Sequence, residues 1–225
     1  MTTRPALASL FALLLLAGCS AAPRGAYFPP PADPATVRVS HALHRAAVAA
    51  GDDPERYSFA FVASPIAVVA SDEEATIYVT DGLARQPLPV VEAAIAHEVA
   101  HEVLGHAGTR RALALSMSAA FTVLGAVLPG AGLLDLVATP VAVRAFTRRQ
   151  ELEADRKAVE ILRGMGHATP RRSLAAALRA LAATRVRPRE EAPGPLSPHP
   201  SLEQRLEALE PLEPPPALVR EGARP

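Results

Sequence analysis

Five residues constrain this chain more than any others: His97-Glu98-Val99-Ala100-His101, within the stretch PVVEAAIAHEVAHEVLGHAG from Pro89 to Gly108. Residues four apart on a helix share a face. On a helix, then, His97 and His101 turn two imidazoles toward one ion. Glu98, about 100° round from His97, lies next to the water such an ion would activate. The helical context is there: Val91, Ala94, Ile95, Val99 and Val103 recur at spacings of three and four. Pro87 and Pro89 suit a helix start, and Gly105 and Gly108 its end. An ordinary amphipathic helix with incidental histidines would show the same five letters, so a second signal is needed.

That signal stands downstream, in Thr147-Arg148-Arg149-Gln150-Glu151-Leu152-Glu153-Ala154-Asp155. A catalytic zinc site usually takes three protein ligands and keeps one position open. The extended pattern that would supply a third histidine is absent, since Gly105 and His106 fall at the wrong offsets. Glu151 and Asp155 are four apart on one helical face. A second helix can offer Glu151 to the metal, with Asp155 accepting the N–H of a liganding histidine and fixing its tautomer. Glu153 points away from Glu151 and reads as structural.

The two motifs, in this order, resemble the Ste-type zinc endopeptidases, whose relatives include HtpX, BepA and the mitochondrial Oma protease. Ile77-Tyr78-Val79-Thr80-Asp81-Gly82-Leu83 resembles that family's strand entering the zinc helix. Ser197-Pro198-His199-Pro200-Ser201 with Arg205 resembles its late His-Pro segment. The match spans roughly 36–209. The family's Asn-Ala-Phe-Ala-type turn is reduced here to Phe59-Ala60-Phe61. The resemblance implies an α+β, mainly helical, zincin-like peptidase domain, with a small antiparallel sheet beside the zinc-binding helix. It implies one Zn2+ per chain, a polypeptide substrate paired along Ile77, Tyr78, Val79 and Thr80, and His199 near the metal, either steadying the transition state or capping the site.

The N-terminus, MTTRPALASLFALLLLAGCS, has Arg4 before an apolar run too short for a comfortable bilayer span. It reads as a secretory leader, residues 1–18. Leu16-Ala17-Gly18-Cys19 looks like a bacterial lipoprotein box, with Cys19 lipidated. By that likeness the protein is anchored in the cell envelope, on the outer membrane facing the periplasm. Cys19 is the only cysteine, so no internal disulfide forms and none ligates zinc. Residues 19–34 read as the lipidated cysteine and a Pro-rich tether. Residues 35–210 are the peptidase domain, and 211–225 a disordered Pro-rich tail. The formal net charge of +0 suggests no nucleic-acid partner. Oligomeric state is left open.

Within the domain, Thr36 to Ala50 has helical spacing, with His41 and His44 as surface histidines. Tyr57 to Ala70 and Ala75 to Thr80 read as strands with a hairpin. Residues 112–145 are almost uncharged and broken by Leu128-Pro129-Gly130. They read as an apolar helical hairpin that is buried, membrane-dipping or a lid, and favoured as packed on the domain or lying against the membrane. Arg148 to Arg163 is the second ligand helix. Arg171 to Thr184 is an amphipathic helix. Ser201 with Gln204 is a capping box opening a last short helix. The function expected is zinc-dependent endopeptidase action on misfolded envelope proteins, with Glu98 as general base. The alternative is a chaperone-like binding lipoprotein with a capped or structural zinc site.

Overall fold

The computed structural model describes residues 22–72, 74–128, 131–184 and 200–215. The leader, Cys19 and His199 lie outside these residues. The elements are β1 (Ala26–Tyr27), α1 (Pro34–Ala50), β2 (Ser58–Val62), β3 (Val69–Ser71), β4 (Thr76–Thr80) and the single turn α2 (Asp81–Ala84). There follow α3 (Leu88–Val103), α4 (His106–Val127), α5 (Asp135–Gly164), α6 (Pro170–Thr184) and α7 (Leu202–Ala208). The architecture is α+β and mainly helical.

Helix α3 is the centre of the core. Its residues from Val90 to His101 are all buried, so it is covered all round rather than on one apolar stripe. Ala93, Ala94, Ala96 and Ala100 make this possible, because small side chains let α1, α5 and α6 approach closely. The N-terminal half of α3 is held by a polar cluster around the buried Glu92. Glu92 receives Arg45 at 2.5 Å and lies 3.0 Å from His167 Nε2.

The sheet order is β1-β2-β4-β3. It is mixed, not purely antiparallel: β3 forms the expected antiparallel hairpin with β4, but β2 and β4 run parallel in the register Ser58↔Thr76 to Val62↔Thr80. β3 is the return strand on the outside of β4, so β4 comes back in the direction of β2. The crossing loop is clamped to the end of β4. Thr80 Oγ1 accepts from Val68 N and donates to Val68 O, and Gly82 N donates to Ser64 O at 2.9 Å. A Cβ on Gly82 would lie 2.2 Å from Pro65 O, so only glycine fits there.

This order corrects the substrate-strand expectation. Ile77 to Thr80 sits inside the sheet, with ladder partners on both sides, so its backbone has no open edge. The free edge beside α3 is β3. Two further boundaries move. Ala26–Tyr27, read as tether, pairs with Phe61 and Val62 as β1, and Asp33 caps α1 through Ala35 N and Thr36 N. In the segment read as disordered tail, Glu213 accepts the backbone N–H groups of Arg171 and Arg172 at 3.0 Å each, which fixes it against the start of α6.

The apolar hairpin exists, but it packs on itself rather than on the domain. Its second arm is not separate from the ligand helix: α5 runs unbroken from the hairpin turn through Glu151 and Asp155. At the base, Gln150, 1% exposed, donates to His106 O and Thr109 Oγ1, joining the two arms. Further out, Leu115, Val123, Val127 and Leu128 are exposed. Among the described residues no helix is long and apolar enough to cross a membrane.

Candidate metal centre

Helix α3 carries His97, Glu98 and His101, and α5 brings Glu151 against them. The ligand atoms of His97, His101 and Glu151 all lie within 4.8 Å of one another, and all three residues are buried. The two Nε2 atoms are 3.1 Å apart. Glu151 Oε2 is 3.4 Å from His97 Nε2, and its Oε1 is 3.5 Å from His101 Nε2. A tetrahedral zinc ion with ligands at about 2.0–2.1 Å sets neighbouring donors about 3.3 Å apart. The donor set therefore fits zinc in spacing and chemistry: two neutral imidazoles and one carboxylate, with a fourth position left over.

The atoms behind the donors are also arranged. His97 Nδ1 lies 3.1 Å from Asp155 Oδ1, and Asp155 is 1% exposed. With Nε2 facing the centre, Nδ1 carries the proton and donates it to that carboxylate. Arg205, from α7, grips Asp155 through Nε at 2.8 Å and Nη2 at 2.5 Å, and its Nη1 lies 3.6 Å from Glu151 Oε2. Its Nη2 is also 3.3 Å from His97 Nδ1. α7 reaches this position because the expected capping box forms: Ser201 Oγ accepts from Gln204 N, and Gln204 Oε1 accepts from Ser201 N.

His101 has a support that the sequence reading dismissed. His106 is 3% exposed, and its Nδ1 lies 2.9 Å from His101 Nδ1. Gly105 makes the contact possible. At φ +64° it adopts the left-handed conformation that ends α3, and the chain turns so that His106 folds back onto His101. Behind His106, Glu153 Oε2 stands 3.7 Å from Nε2. His101 thus donates to His106, whose own proton faces a carboxylate. Glu153, read as structural from its angle on α5, completes the row. Burial holds His106 below the ordinary histidine value, so it remains neutral and able to accept. Truncating it should loosen His101: His106→Ala is expected to lower zinc affinity about 10- to 100-fold, read by competition with a chromophoric chelator. Unchanged affinity would remove His106 from the centre.

The titration of the ligands follows from their surroundings. For His97, burial opposes the proton, but the hydrogen bonds to Asp155 and Glu151 outweigh it and lift the imidazole to about 9. For His101, burial and the neighbouring His97 push it down to about 3. Burial opposes ionisation of Asp155, yet the bonds from Arg205 and His97 hold it below the usual carboxylate range. Burial raises Glu98, against the pull of His97 and of Ser71, whose Oγ donates to Glu98 Oε2 at 3.0 Å. Ser71 closes edge strand β3 and so ties that edge to the carboxylate. The sequence reading saw Ser71 only as part of a polar turn.

No curated protein matches the chain. The family model described as "Peptidase family M48" matches residues 35–213.

Proposed function

Since the chain belongs to peptidase family M48, whose members are zinc metallopeptidases, we propose that it hydrolyses internal bonds of unfolded polypeptides. The observation that carries this reading is the placing of Glu98. Its carboxylate is buried beside the three donors and held by Ser71 from the strand edge next to α3. A purely structural site has no use for a base in that position. A zinc ion held by His97, His101 and Glu151 would supply Lewis acidity to a water and to the scissile carbonyl. Glu98 takes the water's proton and returns it to the departing amine. An extended substrate adds to the edge of β3 through main-chain hydrogen bonds, which brings a backbone carbonyl to the side of α3 that carries Glu98. Recognition of backbone rather than side chains suits unfolded clients. His199, joined through Pro200 to the cap of α7, is assigned as a donor to the developing oxyanion. Cys19, in its Leu-Ala-Gly-Cys context, is assigned as the lipid anchor, with clients among misfolded proteins of the cell envelope.

The test is cleavage of unfolded casein whose two termini have been blocked, with fragments identified by mass. Internal fragments support endopeptidase action. Trimming that needs a free terminus would replace it with an exopeptidase, and zinc binding without cleavage would favour a client-holding role. Removal of zinc with a chelator should abolish cleavage, and one equivalent of added zinc should restore it. A proton competes for His97, whose metal-free value is about 9. Zinc affinity should therefore rise with pH up to about that value and fall steadily below it. Titrations at several pH values check this, and a flat profile would contradict the His97–Asp155–Glu151 arrangement.

A further inference from the structure

The hairpin of α4 and α5 has no role in the chemistry above, and its surface is unlike the rest of the molecule. No charged residue occurs from Ala112 to Leu134. Around its outer end Val123 is 67% exposed, Val127 73%, Leu133 68% and Leu134 57%. Turns between helices in water are normally polar. This one reads Leu128-Pro129-Gly130-Ala131-Gly132-Leu133-Leu134.

We infer that the outer part of this hairpin inserts into one leaflet of a lipid bilayer, with the arginines at its base at the level of anionic headgroups. Three observations choose lipid over a protein partner. First, the exposed apolar side chains run from α4 into the turn with no charged residue among them, whereas a protein interface carries a polar rim. Second, the basic residues gather at one height. Arg110 and Arg111 on α4 lie level with Arg148 and Arg149 on α5, because Arg110 Nη1 reaches Gln150 Oε1. Beyond them α4 is uncharged, and α5 carries Arg144 one turn further out and Asp135 at its start beside the turn. Anionic headgroups attract such a cluster, and arginine stems can lie along the acyl region while the guanidinium stays at the interface. Third, the length fits. From Arg111 to Leu128, at 1.5 Å per residue, the arm is about 25 Å long, which a tilt of about 30° brings to the ~20–22 Å of half a bilayer with its headgroups. Among the described residues neither arm is long and apolar enough to cross the membrane. The same helix continues to Glu151 and Asp155, so the membrane contact and the metal centre lie on one continuous helix.

The test uses the full chain with Cys19→Ser, which leaves an engineered cysteine as the only thiol. An environment-sensitive fluorophore is attached at Val127→Cys in one sample and at Val48→Cys, exposed on α1, in another. Each is added to vesicles of phosphatidylethanolamine with about 30 mol% phosphatidylglycerol, some containing lipids with a quencher in mid-chain. The fluorophore at 127 should shift to the blue and be quenched from within the acyl region, while that at 48 stays aqueous. Val123→Asp with Leu133→Asp, both at exposed positions, should reduce the quenching at 127 about tenfold or more without changing the melting temperature. Phosphatidylcholine vesicles should give weaker insertion, and equal insertion would overturn the part assigned to the arginines. An aqueous signal at 127 on vesicles that hold the chain overturns the inference. A blue shift at 127 without vesicles means that a second copy covers the tip. A shift produced only by unfolded casein means that the tip is a client surface. Either of these also overturns it.

Discussion

Glu98→Gln should leave one zinc ion per chain and an unchanged melting temperature, and lower kcat/KM for unfolded substrate about 10²- to 10⁴-fold. The amide is nearly isosteric and can still accept from Ser71 Oγ, which holds the carboxylate at 3.0 Å. Glu98 is not among the three donors that converge, so metal content should not follow activity. The substitution removes one thing, the capacity to accept a proton from water in a buried position. Kinetics on the variant, with zinc measured by atomic absorption on the same sample, reads both quantities. Wild-type rates in the variant would mean that another group is the base. Loss of zinc together with activity would mean that Glu98 holds the metal rather than the proton.

Arg205→Met should destabilise the metal-free protein by about 3–5 kcal/mol. Asp155 is 1% exposed, and Glu151 and Glu98 are buried within the same cluster. Arg205 is bound twice to Asp155 and stands 3.6 Å from Glu151. Without it, the metal-free protein retains buried carboxylates with no guanidinium to balance them. For a domain of this size the loss corresponds to a fall in Tm of about 10 °C. Zinc replaces part of the missing positive charge and stabilises by mass action, so the fall should be smaller in zinc-loaded protein. The effect of pH has a definite sign. Asp155 is held below its ordinary value, so its contribution is present above that value and disappears as pH falls through the depressed one. The gap between wild type and variant should therefore narrow on acidification. Differential scanning calorimetry with and without chelator checks this. Equal losses in the two states would show that Arg205 serves packing and not charge balance.

The centre's donors were legible because helical geometry leaves little freedom: a spacing of four puts His97 with His101, and Glu151 with Asp155, on common faces. What was not legible depends on how elements meet. On one continuous helix, His106 would point about 140° away from His101. It reaches His101 because Gly105 breaks the helix in the left-handed region, and a glycine's sign of φ is not written in its neighbours. Glu153 was set aside by the same single-helix reasoning, although its partner sits on another helix. Arg205 was visible as a letter in a familiar pattern, but its grip on Asp155 depends on where α7 docks. The sheet was misjudged for a similar reason. Alternation of side chains identifies strands without saying which neighbour lies on each side, so the interior strand β4 was taken for an edge and β3 overlooked. The apolar hairpin was recognised from composition, while its union with the ligand helix was hidden by Pro140 and by the change from apolar to charged residues near Arg148.

The order in which these parts occur along the chain has a temporal consequence. Helix α3 emerges from the ribosome first and brings His97, Glu98 and His101. α5 follows with Glu151 and Asp155, and the guanidinium that neutralises them arrives only with α7. A nascent chain thus holds its carboxylates without their internal cation until α7 has been made. Charge balance in the metal centre therefore waits for α7, the last of the described elements, and until then a metal ion is what can offset these carboxylates.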